Sequence, residues 1–199
     1  MQNTKTVKMV QMAILIAIII LMAFTPIGFI RTGGLEIALI GIPVAIGAMI
    51  LGPTAGAVLG LTFGVISFIQ CFGFSPFGAT LLGINPIATF IVCVPTRVLM
   101  GYLTGLFTNI LLKIDKTKTV TYFVMGAVAA ALNTLFFMTT LMLFFWNTDY
   151  IQGMNVDGLG VVAFIFVFVG INGACEIPAC CIAGGTVAKA LTKVVKKAE

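Results

Sequence analysis

A carboxylate stands deep in the last apolar run of the chain. Glu176 lies in Gly170-Ile171-Asn172-Gly173-Ala174-Cys175-Glu176-Ile177-Pro178, with hydrophobic sequence back to Leu159 and apolar or small residues on to Lys189. At 1.5 Å per helical residue it sits roughly 20 Å from either end of that run, near the middle of a hydrocarbon layer ~30 Å thick. An ionisable group at such a depth costs several kcal/mol unless it faces protein or water, so it marks a candidate functional site. Asn172, four residues earlier, falls on the same helical face and makes a polar stripe with it. The stripe can hydrogen-bond a polar ligand or, in a purely structural reading, a neighbouring helix.

Two further polar residues interrupt apolar sequence. Arg97 follows Pro95-Thr96. If its helix begins at Pro86, Arg97 is roughly 16 Å deep; if Pro95 is the first helical residue, Arg97 lies near the outer face at a helix N-terminus. In either position a cation on an outward-opening cavity suits an anionic ligand group, and the competing reading is an Arg reaching for headgroups or paired with Glu176. Asn133 stands midway along Ala129-Ala130-Ala131-Leu132-Asn133-Thr134. Convergence of Arg97, Asn133, Asn172 and Glu176 would make a small site for a polar organic molecule. Phe68, Phe72, Phe74 and Phe77 on one side, and Phe144, Phe145 and Trp146 on the other, either anchor the interface or close over that ligand.

The remaining composition excludes most chemistry. The chain carries six acidic residues and no histidine, which leaves little for acid–base catalysis and argues against a metal site. It has no phosphate loop, no His-Glu-x-x-His and no Gly-x-Ser-x-Gly elbow, so no catalytic residue and no cofactor is expected. Cys71, Cys93, Cys175, Cys180 and Cys181 are odd in number, contain no Cys-x-x-Cys and lie in or beside apolar runs, so they read as free thiols.

The elements that must position these residues are membrane helices. Of the 199 residues 60% are hydrophobic and 9% charged, and the mean hydropathy is +1.19. Soluble domains average about 25% charged residues. Hydrophobic length, charge, Gly and Pro predict an all-α membrane protein, a single domain over 1–199 forming a compact bundle of six transmembrane helices. The spans are expected at about 9–30, 36–51, 54–71, 86–112, 119–146 and 159–188. The first run continues from Val10 to Ile30 without a cleavage site and reads as a retained span.

Charge sets the orientation. Lys5 and Lys8 precede span one, Lys113, Lys116 and Lys118 lie between spans four and five, and Lys189, Lys193, Lys196 and Lys197 follow span six. Six spans put all three groups on one side, so the positive-inside rule predicts both termini in the cytoplasm. The +5 net charge thus speaks to a bilayer and not to nucleic acid. The outer connections, Phe29–Glu36, Phe72–Asn85 and Asn147–Gly158, are the longer ones and suggest a cavity lidded from outside.

Small residues recur at helical spacing. Gly52, Gly56, Gly60 and Gly64 share a face of span three, and Gly101 and Gly105 repeat the pattern in span four, which predicts close helix packing. Ala13 and Ala17 form a similar pair on the cytoplasmic half of span one, where a partner has room to dock.

As a set these motifs resemble a family. Gly41-Ile42-Pro43-Val44-Ala45-Ile46-Gly47 through Gly52-Pro53, then Gly56, Gly60 and Phe63-Gly64-Val65-Ile66-Ser67, are similar to the substrate-binding S components of energy-coupling factor (ECF) vitamin transporters. So are Ser75-Pro76-Phe77, the Pro-x-Arg-x-x-x-Gly of Pro95 to Gly101, and the Asn172–Glu176 pair. Relatives often carry Pro followed directly by Arg, whereas Thr96 intervenes here.

The resemblance implies a six-helix protein of a prokaryotic plasma membrane that captures a vitamin from outside. It implies partners as well: a transmembrane coupling protein and two cytoplasmic ATPases whose ATP hydrolysis drives uptake, with Ala13 and Ala17 at the coupling-protein contact. Residues Ile42 to Ser67 look most like pantothenate-type S components, and Arg suits that ligand's carboxylate while Asn and Glu suit its hydroxyls and amide. Riboflavin, pyridoxine-type and queuosine-precursor S components share much of the pattern. Two other classes stay open: a self-sufficient proton-coupled carrier or channel with Glu176 as relay, and a structural subunit without ligand.

Overall fold

A computed structural model describes residues 4–25, 28–32, 35–115, 119–155, 158 and 160–198; the side chains of 4, 5, 29–32, 35–37, 168, 169, 171, 172, 175 and 192–198 lie outside that description. Helices dominate it. In order they are α1 (Thr4–Ala23), α2 (Gly41–Leu51), α3 (Pro53–Gln70), α4 (Pro76–Ile84), α5 (Pro86–Cys93), α6 (Pro95–Ile114), α7 (Thr119–Phe145), α8 (Asp149–Met154), α9 (Val161–Ala179) and α10 (Gly185–Ala198). Among the described residues four stretches are long and apolar enough to cross a membrane: Thr6–Ala23, Pro53–Gln70, Pro86–Ile114 and Thr119–Phe145.

Proline opens four of these helices. Pro53, Pro76, Pro86 and Pro95 stand at their N-termini, where a missing N–H costs nothing and φ is already helical. Ser75 and Asn85 complete the starts of α4 and α5 by accepting from the N–H groups of Gly78 and Ala88 at 3.0 and 3.1 Å.

The expectation of a purely α fold needs one correction. Phe29–Thr32 (β1) and Leu35–Ala38 (β2) pair antiparallel, with Phe29 opposite Ala38 and Thr32 opposite Leu35. Charge and glycine make the segment read as a connection into a span from residue 36, yet its β-branched and aromatic residues around Gly33-Gly34 carry a hairpin signature. The following helix is correspondingly short, at 11 residues.

The stretch 86–114 is also divided. Pro95 cannot donate to the preceding turn, so α5 ends at Cys93 and α6 begins at Pro95 around Val94. Pro178 lies inside α9, and the helix widens into a π turn over Cys180–Gly184 before α10.

The main packing seam is α3 against α6. A Cβ at Gly56 would lie 2.2 Å from the carbonyl oxygen of Gly101, one at Gly60 2.2 Å from that of Arg97, and one at Gly101 2.1 Å from that of Gly56. Only glycine permits this backbone approach, so the spacing of glycines in the sequence fixes how α6, and with it Arg97, is seated. Beside the seam, Ile19, Val44, Leu59, Phe63 and Met100 join α1, α2, α3 and α6 in one apolar cluster. A second cluster, including Val92, Met138, Phe145 and Phe164, joins α5, α7 and α9.

Candidate functional site

A cavity opens where these two clusters meet. About 60 Å³ of it accommodates the centre of a water molecule, several times the ~10–15 Å³ that one water needs. Its walls come from the ends of α3 and β2, from α4, from the α5–α6 break, and from α7 and α9. Arg97, Asn133 and Glu176 all line it. The side chain of Asn172 lies outside the described residues. Ala13 and Ala17 are elsewhere, exposed on α1.

Arg97 owes its position to the helix break. As the third residue of α6 it is 5% exposed. Its Nη1 donates to the Val92 carbonyl at 2.6 Å and to Thr96 Oγ1 at 3.3 Å, while Thr96 Oγ1 donates to the same carbonyl at 2.5 Å. Thr96, the residue that separates Pro95 from Arg97, thus helps to orient the guanidinium. Phe63 and Phe137 hold it as well, with ring centroids 5.1 and 4.7 Å from Cζ, a favourable arrangement for a desolvated cation.

Among the described residues Arg97 has no counter-charge in contact. Its Nε is enclosed without a hydrogen-bond partner among the described residues. Glu176 acts on it electrostatically, but no hydrogen bond joins them among those residues. A buried guanidinium without a contacting carboxylate is costly and is suited to a ligand carboxylate taken two-pronged.

Glu176 is 3% exposed and engaged on both oxygens. Oε1 accepts from the backbone N–H of Ala38 at 2.8 Å, and Oε2 from the hydroxyl of Thr134 at 3.0 Å. Asn133 also interacts with this carboxylate. The hairpin therefore ends on α9 through Ala38, which ties the β1–β2 connection to the acid. Glu176 and Asn133 both line the cavity, and the acceptor capacity that remains to them suits hydroxyl and N–H groups of a ligand.

Several residues of the wall were missed in the sequence. Gln70 and Ser75 are both buried and line the cavity. Gln70 ends an apolar helix, an ordinary place for a polar residue, and Ser75 enters the sequence reading through the Ser75-Pro76-Phe77 motif alone, with no site role attached. Thr134 and Phe137 were legible as neighbours of Asn133, one position and one helical turn onward. Cys71 and Cys93, whose sulfurs are 4.0 Å apart, stand side by side in the same wall. Phe77 lines the cavity too, and Tyr150 of α8 packs on it with ring centroids 6.0 Å apart, so α8 backs the wall that α4 supplies.

Comparison with known proteins agrees with this architecture. Residues 7–183 match the family model described as "ECF transporter, substrate-specific component". The pantothenate transporter PanT of Leuconostoc mesenteroides is 29% identical over 186 residues, covering 87% of this chain and 89% of that one. Among solved structures, ThiT from Listeria monocytogenes superposes with a TM-score of 0.68 at 17% identity, covering 96% of this chain and 98% of that one. The S-component for biotin from an ECF-type ABC transporter gives 0.57 at 16% identity, over 97% and 94% of the two chains. At such identities the two structures speak to the fold. The family match spans nearly the whole chain, and it carries the conclusion: this protein belongs to the substrate-specific components of ECF transporters, which are transport proteins and not enzymes.

Proposed function

We propose that the chain captures a vitamin from outside the cell, with pantothenate as the best-supported ligand, and delivers it through a coupling protein energised by two cytoplasmic ATPases. The observation that carries this reading is the buried Arg97, with no ion pair among the described residues, in one cavity with Glu176 and Asn133. Pantothenate offers the complement: a carboxylate at one end, and an amide and two hydroxyls toward the other. Arg97 takes the carboxylate, while Glu176, Asn133 and Asn172 take the hydroxyls and the amide. The similarity to PanT supports the same ligand.

The reading places six spans in a prokaryotic plasma membrane, formed by α1, α2, α3, α5 with α6, α7, and α9 with its continuation, and puts both termini inside. The exposed small-residue face of Ala13 and Ala17 on α1 then serves as the coupling-protein contact. The test is calorimetric titration of the chain, purified alone in detergent, with pantothenate, riboflavin, pyridoxine and queuine. Stoichiometric tight binding of pantothenate supports the proposal. Preference for another member reassigns the ligand, and binding of none, together with substrate flux through liposomes holding this chain alone, favours a self-sufficient carrier.

A further inference from the structure

Gln70 occupies a place that its packing alone does not require. It is the last residue of α3, 4% exposed, and lines the cavity. Its Nε2 donates to the carbonyl of Ala23, the last residue of α1, at 2.6 Å. A carbonyl can only accept, so this bond fixes which way the amide points: the NH2 faces α1 and Oε1 faces away from it. No hydrogen bond to Oε1 is found among the described residues. Nor is that oxygen enclosed, since Arg97 Nε is the enclosed side-chain polar atom without a partner among them. The open side of so buried a residue is the cavity that it lines.

Ser75 adds the opposite polarity beside it. Its backbone N–H donates to the backbone carbonyl of Gln70 at 2.9 Å, which seats the start of α4 on the end of α3. Its Oγ accepts from Gly78 N at 3.0 Å, so the remaining capacity of the hydroxyl includes its proton, in a buried residue that also lines the cavity. An acceptor and a donor on adjacent wall residues match a group that carries both functions, such as a hydroxyl or a secondary amide.

We propose that Gln70 is a specificity-determining residue whose Oε1 accepts a hydrogen bond from a hydroxyl or amide N–H of the captured ligand, with the Ser75 hydroxyl donating to the ligand oxygen next to it. The proposal rests on the capture reading above and deepens it. The carboxylate at Arg97 sets which charge is admitted, and the Gln70–Ser75 corner sets which polar group the rest of the molecule must carry. An analogue without that group leaves a buried acceptor unpaired, the situation in which a hydrogen bond discriminates most.

The test compares the full chain with Gln70→Met in calorimetric titrations against pantothenate, its two singly dehydroxylated analogues and its N-methyl amide. The expected result is about tenfold weaker binding of pantothenate by Gln70→Met, with at least one analogue bound equally by the two proteins. Equal weakening of all four ligands would assign Gln70 to the Ala23 tie alone and overturn the proposal, as would unchanged affinity for pantothenate. Gln70→Asn, whose shorter side chain cannot span from the Ala23 carbonyl to the cavity, is the second variant should Gln70→Met not purify folded, and the same pattern is expected. If wild type prefers riboflavin, pyridoxine or queuine, the pantothenate reading falls and the comparison is decided on donor-deleted analogues of that vitamin. Binding of none overturns both.

Discussion

Replacing Arg97 by Met separates the ligand-binding role of the guanidinium from any structural one. Little is left stranded by the change, because the Val92 carbonyl keeps its hydrogen bond from Thr96 Oγ1 and Phe63 and Phe137 retain an apolar neighbour of similar volume. The buried cation has no ion pair among the described residues, so removing it is expected to leave the melting temperature of the ligand-free protein unchanged or raised. The cost falls on the ligand. A hydrogen bond to a charged group contributes about 1.5–3 kcal/mol, and two prongs on one carboxylate are not additive. A loss of about 3 kcal/mol corresponds to on the order of 100-fold in affinity. The informative assay is competition between pantothenate and pantothenol, the alcohol that lacks the carboxylate. Wild type should prefer pantothenate by about two orders of magnitude, and Arg97→Met should bind the two alike. Arg97→Lys keeps the charge but loses the fork held between two rings, and should fall about tenfold. Retained preference for the carboxylate in Arg97→Met, or a collapse of its ligand-free stability, would refute the reasoning.

Three other perturbations follow from the same geometry. Glu176→Ala strands the Ala38 N–H and should lower stability by about 1–3 kcal/mol, visible as a lower melting temperature, whereas Glu176→Gln can still accept from Ala38 and donate to Thr134, whose hydroxyl then turns to Ala130 at 3.1 Å, and should melt near wild type. Gly60→Ala places a Cβ 2.2 Å from the Arg97 carbonyl and should weaken both folding and ligand affinity by displacing α6, while Gly83→Ala, with nothing within 4 Å of the added Cβ, should leave both unchanged in the same melting and titration assays. Ala13→Leu with Ala17→Leu alters exposed positions on α1 and should abolish uptake in cells while leaving the calorimetric affinity of the isolated chain intact; loss of affinity would place the pair in internal packing instead.

Much of the frame was legible because lipid imposes simple rules. The hydrophobic runs 54–71 and 119–146 end within a residue of α3 and α7, and the glycines of α3 and α6 announced a seam that the backbone distances bear out. Depth in an apolar run singled out Arg97, Asn133 and Glu176, because a polar residue there needs a partner. The same rule could not single out Gln70 or Ser75. Both stand at helix boundaries, where polar residues are ordinary, and only the packing of α4 onto the end of α3 buries them. The hairpin escaped for a different reason: Arg31, Gly33-Gly34 and Glu36 make Phe29 to Glu36 read as a connection between two spans, and its strand character depends on pairing across the two glycines. The break before Pro95 was one of two open readings, and the structure decides it at Val94, which sets Arg97 at a helix start on the cavity wall.

The central claim is that this chain alone captures a small vitamin, and the most direct measurement is native mass spectrometry of the chain purified alone in detergent, before and after incubation with pantothenate. The expected result is a stoichiometric adduct of pantothenate mass that Arg97→Met fails to retain. A chain that stays bare with pantothenate, riboflavin, pyridoxine and queuine alike would contradict it.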